Sequence, residues 1–265
     1  MSTASCALRL SLIAIVSAAC KDGEGTATDE RADASSVAAP DASTRRVADW
    51  SCVGDPAPES PEQIAITGTM FASSDAPIAE ALVELVTLAD DAVVGSAVTA
   101  ADGTFQLDVE PGPDGLAAYL RSVPDGRVPL YNYFDGPLRE DAEVPMLSLA
   151  PGELAAFYGF ALGTPLDETR ATVSMVFKDC AMAPAADVAI SLDPEAEQIA
   201  YFSEATNNVD DTFTTTDESG FAFAVNAPAG DGGLPVVVQG QAGDTLLEGA
   251  IETHPGSLVS ILIRP

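Results

Sequence analysis

The chain carries a single histidine, His254, in the stretch IETHPG. One imidazole can act as a base or as one metal ligand, but a catalytic triad needs an oriented partner and a zinc site needs several nitrogen or sulfur ligands. Sites of that kind are nearly excluded, and His254 before a turn reads as a surface residue. The motifs G-x-S-x-G, H-E-x-x-H and the phosphate-binding loop do not occur. Paired carboxylates are present, but 41 Asp and Glu make pairs inevitable, so their spacing assigns no catalytic residue. The stretch TNNVDDTF (206–213) offers Asn207, Asn208, Asp210 and Asp211 as hard oxygen ligands. Calcium takes six to eight such oxygens, often from one loop. The stretch lacks the alternating D-x-D-x-D-G order, so it reads first as a polar loop tip and second as a calcium site. Aromatic residues gather mid-chain, among them Tyr131, Tyr133, Phe134, Phe157, Tyr158 and Phe160. Exposed rings stack on sugars, whereas rings alternating along a strand more often fill a core. Tyr131 and Tyr133 are the ligand-facing candidates under the first reading.

The formal net charge is −30, from 41 acidic against 11 basic residues. Such a field repels phosphate backbones and anionic membrane surfaces, which disfavours nucleic acid as a partner. It attracts cations, but a solvated acidic surface is its ordinary role.

The N-terminus reads MSTASCALRLSLIAIVSAACKDGEG. Arg9 precedes an apolar run, Leu10 to Ala19, too short to span a bilayer as a helix but suited to a secretory signal. Ser17, Ala18 and Ala19 lead directly into Cys20. This arrangement resembles a bacterial lipoprotein signal. The resemblance implies removal of residues 1–19, lipid on Cys20, and an exported chain at the outer membrane or cell surface. An ordinary signal peptide cleaved nearby is the alternative. Removal of the signal discards Cys6, and lipid occupies Cys20. Cys52 and Cys180 remain, and an exported compartment lets them pair. Two free thiols are the alternative there.

The elements that position these residues are short. Residues 20–60 are rich in Ala, Ser, Thr, Asp, Glu and Pro without apolar periodicity, which predicts a disordered tether. Its end, ADWSCVG, holds Trp50 beside Cys52, and a mobile, wet Trp is costly, so this piece is expected to dock on a folded body. From Ile64 onward the runs IAITGTM, ALVELVTL, VVGSAVT, TFQLDV, LAAYLRSV, VPLYNYF and VPMLSLA predict seven strands separated by turn signals. Asp102-Gly103 is a tight-turn pair. In the segment 151–169, Leu154, Phe157, Tyr158 and Ala161 fall on one face of a short helix.

The pattern then repeats. APIAEALVEL (76–85) aligns without a gap on APAADVAISL (183–192), and ITGTM (66–70) falls on VSMVF (173–177) at the same offset. TAADGTFQLDVEPG (99–112) returns as TTTDESGFAFAVNAPAG (214–230), which pairs Phe105, Leu107 and Val109 with Phe221, Phe223 and Val225. In the first copy the carriers include Gly68, Pro77, Val83, Leu85, Thr99, Asp102, Gly103 and Phe105. In the second they include Pro184, Val188, Ile190, Leu192, Thr216, Asp217, Gly220 and Phe221. This order resembles the carboxypeptidase regulatory-like domain and its transthyretin-like and carbohydrate-binding-like relatives. The resemblance implies seven-stranded modules without activity of their own, some of which bind carbohydrate.

The expected fold is all-β: two tandem antiparallel seven-stranded β-sandwich domains, at 62–150 and 170–265, joined by the helical connector at 151–169. The expected function is that of a non-catalytic, lipid-anchored cell-envelope protein with a structural or interaction role and no required cofactor. A polysaccharide or another envelope protein is the expected partner. A carbohydrate-binding module is the second reading. An enzyme of unfamiliar type, with convergent acids of perturbed pKa, is the third.

Overall fold

The computed structural model describes residues 48–53, 58–203, 208–210, 212–240 and 245–264. The signal segment, Cys20, most of the tether, Asn207 and Asp211 lie outside the described residues.

The seven predicted runs of the first half are strands: β1 (Ile64–Phe71), β2 (Leu82–Thr87), β3 (Val93–Val98), β4 (Thr104–Val109), β5 (Ala118–Ser122), β6 (Leu130–Tyr133) and β7 (Ala142–Leu147). Helix α1 (Pro151–Phe157) follows and runs into a π-helical turn, Tyr158–Leu162. Three residues of its predicted inner face, Leu154, Phe157 and Tyr158, are buried. Proline at the first helical position suits the start. Ala150 has no side chain to cap it, so Glu153 reaches back and accepts the Ala150 N–H at 2.7 Å. The second half contributes β8 (Ala171–Phe177), β9 (Ala189–Leu192), β10 (Gln198–Ser203), β11 (Asn208–Asp210), β12 (Phe221–Ala227), β13 (Gly230–Gln239), β14 (Thr245–Thr253) and β15 (Leu258–Ile263).

The strands do not form the expected pair of separate seven-stranded domains. Among the described residues they form two three-stranded sheets, β4-β1-β7 and β14-β13-β9, and one nine-stranded sheet, β11-β10-β12-β8-β15-β6-β5-β2-β3. The long sheet crosses from one half to the other where β15 pairs in parallel with β6, with Leu258 opposite Leu130 and Ile261 opposite Tyr133. The physical reason lies in those two edges. LYNY and LVSILI carry no charge and no proline, the usual devices that keep sheet edges apart. Apolar packing then fills both faces of the long sheet. On one face β1, β4, β7 and α1 cover Val83, Leu85, Leu120, Leu130, Leu258 and Phe223. On the other, β9, β13 and β14 cover Val173, Met175, Phe177, Val259 and Ile261, with Tyr119 and Tyr133 in the same core.

The repeat survives in the hydrogen bonds. β1 pairs antiparallel with β4 and parallel with β7; β8 pairs antiparallel with β12 and parallel with β15. Thr99 Oγ1 donates to Ile78 O at 2.7 Å and accepts Ala81 N–H at 2.9 Å. Thr216 Oγ1 donates to Ala185 O at 2.7 Å and accepts Val188 N–H at 3.0 Å. Between those partners, Glu80 (φ 59°) and Asp187 (φ 63°) both take the left-handed conformation.

The same bonds correct one pairing. Met70 N–H donates to Gly103 O and Phe177 N–H to Gly220 O, so the two glycines are equivalent. Phe105, opposite Gly68, therefore corresponds to Ala222, opposite Met175, and not to Phe221. A slip of one residue turns every side chain of a strand to the other face. Large and small have exchanged places across the ladder: a Cβ on Gly68 would lie 2.5 Å from the Phe105 ring and 2.2 Å from Val144 O.

Candidate functional site

Strands β5 and β6 bring three tyrosines to one face of the long sheet. Their register sets Tyr119 beside Tyr133 and Arg121 beside Tyr131, with Glu84 of β2 next in the row. His254, just past β14, closes over them. Tyr131 stacks on His254 with centroids 4.0 Å apart, and Tyr119 stacks on Tyr133 at 4.9 Å. Tyr133 Oη lies 3.4 Å from His254 Nε2, and Tyr119 Oη donates to Asp91 Oδ1 at 3.1 Å. Arg121 donates through Nε and Nη2 to Glu84 Oε2 at 3.0 and 2.8 Å. The two candidate aromatics part here: Tyr133 is 6% exposed and belongs to the core, while Tyr131 is half-buried.

Burial pushes the phenols up. Tyr119 reaches about 12, with the charge of Asp91 and the hydrogen bond to it adding to desolvation. Tyr133 rises by burial and by the nearby charge of Glu252, and Tyr131 rises by burial against the opposing Arg121. Phenols held protonated donate hydrogen bonds; they do not act as bases at neutral pH. Within the patch Tyr131 is stacked on His254 and Arg121 is held by Glu84. Beside it, Leu82 of β2, Val98 of β3 and Val123 just past β5 are 49%, 61% and 58% exposed.

The acidic stretch has a different geometry. Asn208 is exposed and begins β11, an edge strand paired with β10. A calcium loop curls so that successive oxygens meet at one centre, whereas residues 208–210 are extended. Among the described residues no three His, Cys, Asp or Glu side chains gather as a metal-binding group. The shifted carboxyls are scattered and locally caused. Asp102 and Asp167 are lowered by hydrogen bonds from Thr104 and Thr169, Glu153 by Ser73 and the Ala150 N–H, and Asp135 is raised by burial against Arg264.

Cys52 and Cys180 are joined by a disulfide, with Cα atoms 5.8 Å apart. The ADWSC piece docks as expected: Trp50 packs against the core of β9, β13 and β14, and Cys180 N–H donates to Asp49 O at 2.8 Å. Asp179 organises the junction. It is fully buried, its Oδ1 accepts the N–H groups of Ala181 and Ala183, and its Oδ2 accepts the N–H of Asp49. The one sequence signal for Asp179 was its place beside Cys180, a cysteine expected to pair. Tyr119 and Arg121 were legible only as members of a strand.

No protein-family model and no curated protein sequence matches the chain. Solved structures align weakly. The 3-chlorocatechol 1,2-dioxygenase from Rhodococcus opacus 1CP is 12% identical over 35% of this chain and 61% of its own, with a TM-score of 0.27. The dioxygenase domain of a dioxygenase carbohydrate-binding protein fusion from Streptomyces sp. SirexAA-E is 17% identical over 34% of this chain and 82% of its own, at 0.27. The shaft pilin SpaA from Lactobacillus rhamnosus GG is 9% identical over 77% of this chain and 98% of its own, at 0.25. Scores of this size identify neither a shared fold nor a shared function.

Proposed function

We propose that the chain is a non-catalytic, lipid-anchored cell-envelope protein whose β-rich body serves a structural or interaction role, built from two fused regulatory-like repeats. One observation carries this reading: the Cys52–Cys180 disulfide clamps the end of the tether to the second half of the body. Disulfides of this kind belong to exported proteins. The twin threonine clamps at Thr99 and Thr216 support the two-repeat origin. In this reading the membrane is reached through lipid on Cys20, at the outer membrane or cell surface. Cell fractionation of the Cys20→Ser variant tests it. Release from the membrane fraction is expected, and unchanged membrane association would refute the anchor.

A carbohydrate-binding role is the second reading, favoured by the half-buried Tyr131 ring on His254 beside Arg121 and Glu84. A glycan array of residues 47–265, with calcium and with chelator, tests it. Binding to one polysaccharide class that is lost in Tyr131→Ala supports the role, and loss with chelator would bring back the stretch around Asn208 and Asp210 as a cation site. Absence of binding leaves the scaffold reading alone.

A further inference from the structure

A narrow slot opens at the seam of the two repeats, independent of the reading above. Its floor is the long sheet where β6, β15 and β8 run side by side. Its walls come from Phe71 and Leu147 on one side and from Leu154 and Phe157 of α1 on the other. The floor is polar where a core would ordinarily be apolar. Asn132, Ser260 and Ser174 lie directly opposite one another on the three strands and line the slot. Asn132 is only 7% exposed, and no hydrogen-bond partner reaches its Nδ2 among the described residues. Buried amides are almost always bonded, so this donor calls for an acceptor. A mostly apolar cleft with a few convergent polar groups is the usual form of a small-molecule site.

We propose that this slot binds the end of a neutral acyl chain, with the ester or amide carbonyl oxygen accepting a hydrogen bond from Asn132 Nδ2. Size and charge select that ligand. The cavity measures about 70 Å³, against about 150 Å³ for a dry cavity that holds one benzene. It admits a few carbon atoms in a line and excludes a sugar ring. Its lining includes no charged side chain, and the chain as a whole carries −30, so a free carboxylate is disfavoured.

The test uses the full chain with propanamide and, separately, sodium propanoate, followed by methyl NMR of Leu147 and Leu154. Propanamide is expected to shift both methyl sets saturably, and propanoate to leave them in place at the same concentrations. In Asn132→Leu the propanamide affinity is expected to fall about tenfold, the worth of one hydrogen bond. Ser260→Leu, which fills the slot from a less buried position, is expected to abolish the shifts. No saturable shift with propanamide, equal binding of propanoate, or unchanged affinity in either folded variant would overturn the proposal. The wild-type comparison decides alone if a variant fails to fold.

Discussion

Reduction of the Cys52–Cys180 bond is the sharpest perturbation available, because the protein reports on it directly. The cysteines are 128 residues apart, so the bond closes a loop that includes the whole first half of the body. Closing a loop of that length in the unfolded chain removes entropy worth about 5 kcal/mol at room temperature on the chain-entropy account. For a body of roughly two hundred residues each kcal/mol moves the melting temperature by about 2–4 °C, so the loss amounts to roughly 10–20 °C. Trp50, the only tryptophan, lies two residues from Cys52 and packs against the core of β9, β13 and β14. Its fluorescence therefore reads the docking of residues 48–53, while far-UV circular dichroism reads the sheets. The double variant Cys52→Ala/Cys180→Ala avoids mispairing and should match the reduced protein. Both probes are expected to melt together, with the lower midpoint. A midpoint change under about 3 °C would refute the loop argument. So would loss of the Trp50 signal with the sheet transition unmoved, since residues 48–53 would then peel away locally.

Two further outcomes follow from side chains in the repeats and the tyrosine patch. Thr99→Val and Thr216→Val each strip a buried N–H and a buried carbonyl of their partner, at about 1–3 kcal/mol for each group left bare. The sites are in separate turns, so the losses should add in urea unfolding; a loss under about 0.5 kcal/mol at either site would refute the clamp. All five tyrosines have raised phenol pKa values, Tyr119 to about 12. The unfolded phenols ionise near 10, so above that pH the unfolded state binds fewer protons than the folded state and stability falls as pH rises toward 12. Ultraviolet titration should show little phenolate before a cooperative alkaline transition; gradual ionisation centred on pH 10 in the folded protein would contradict the burial.

Strands β1 and β4 of the first half were the most legible because their burial alternates along the chain. Phe105, Leu107 and Val109 alternate with exposed Thr104, Gln106 and Asp108, and period two shows through. The disulfide was legible from which cysteines survive export, and the docking of Trp50 from the cost of exposing it. Strand neighbours were not legible. Alternation says which face of a strand is buried, but pairing of β6 with β15 depends on edges that lie 128 positions apart, from Leu130 to Leu258. The slot at Asn132 was hidden for the same reason, since Asn132, Ser260 and Ser174 meet only once those edges pair. Tyr131 and Tyr133 share a face by period two, yet Tyr133 is buried in the core, stacked on Tyr119, while Tyr131 lies half-buried at its margin under His254.

The one-residue slip between the repeats explains why the second half could not stand free. Asp102 lies three residues before Phe105 and Asp217 four before Phe221, and that extra residue is the visible trace of the slip. Matching phenylalanine to phenylalanine hides it; matching Gly103 to Gly220 reveals it. With the register corrected, Ala222 and Ala224 face the core made with β9, β13 and β14. Phe223 and Val225 therefore point the other way, where a free-standing sandwich would meet water, and Phe221 packs at the margin of the same core. FAFAV is apolar at every position because β12 is covered on both faces. The cover is α1, whose Phe157 ring lies 5.2 Å from that of Phe223, together with the first half's own sheet across the same core. The connector is thus part of the core, and the two repeats fold as one body because the second has two faces to bury.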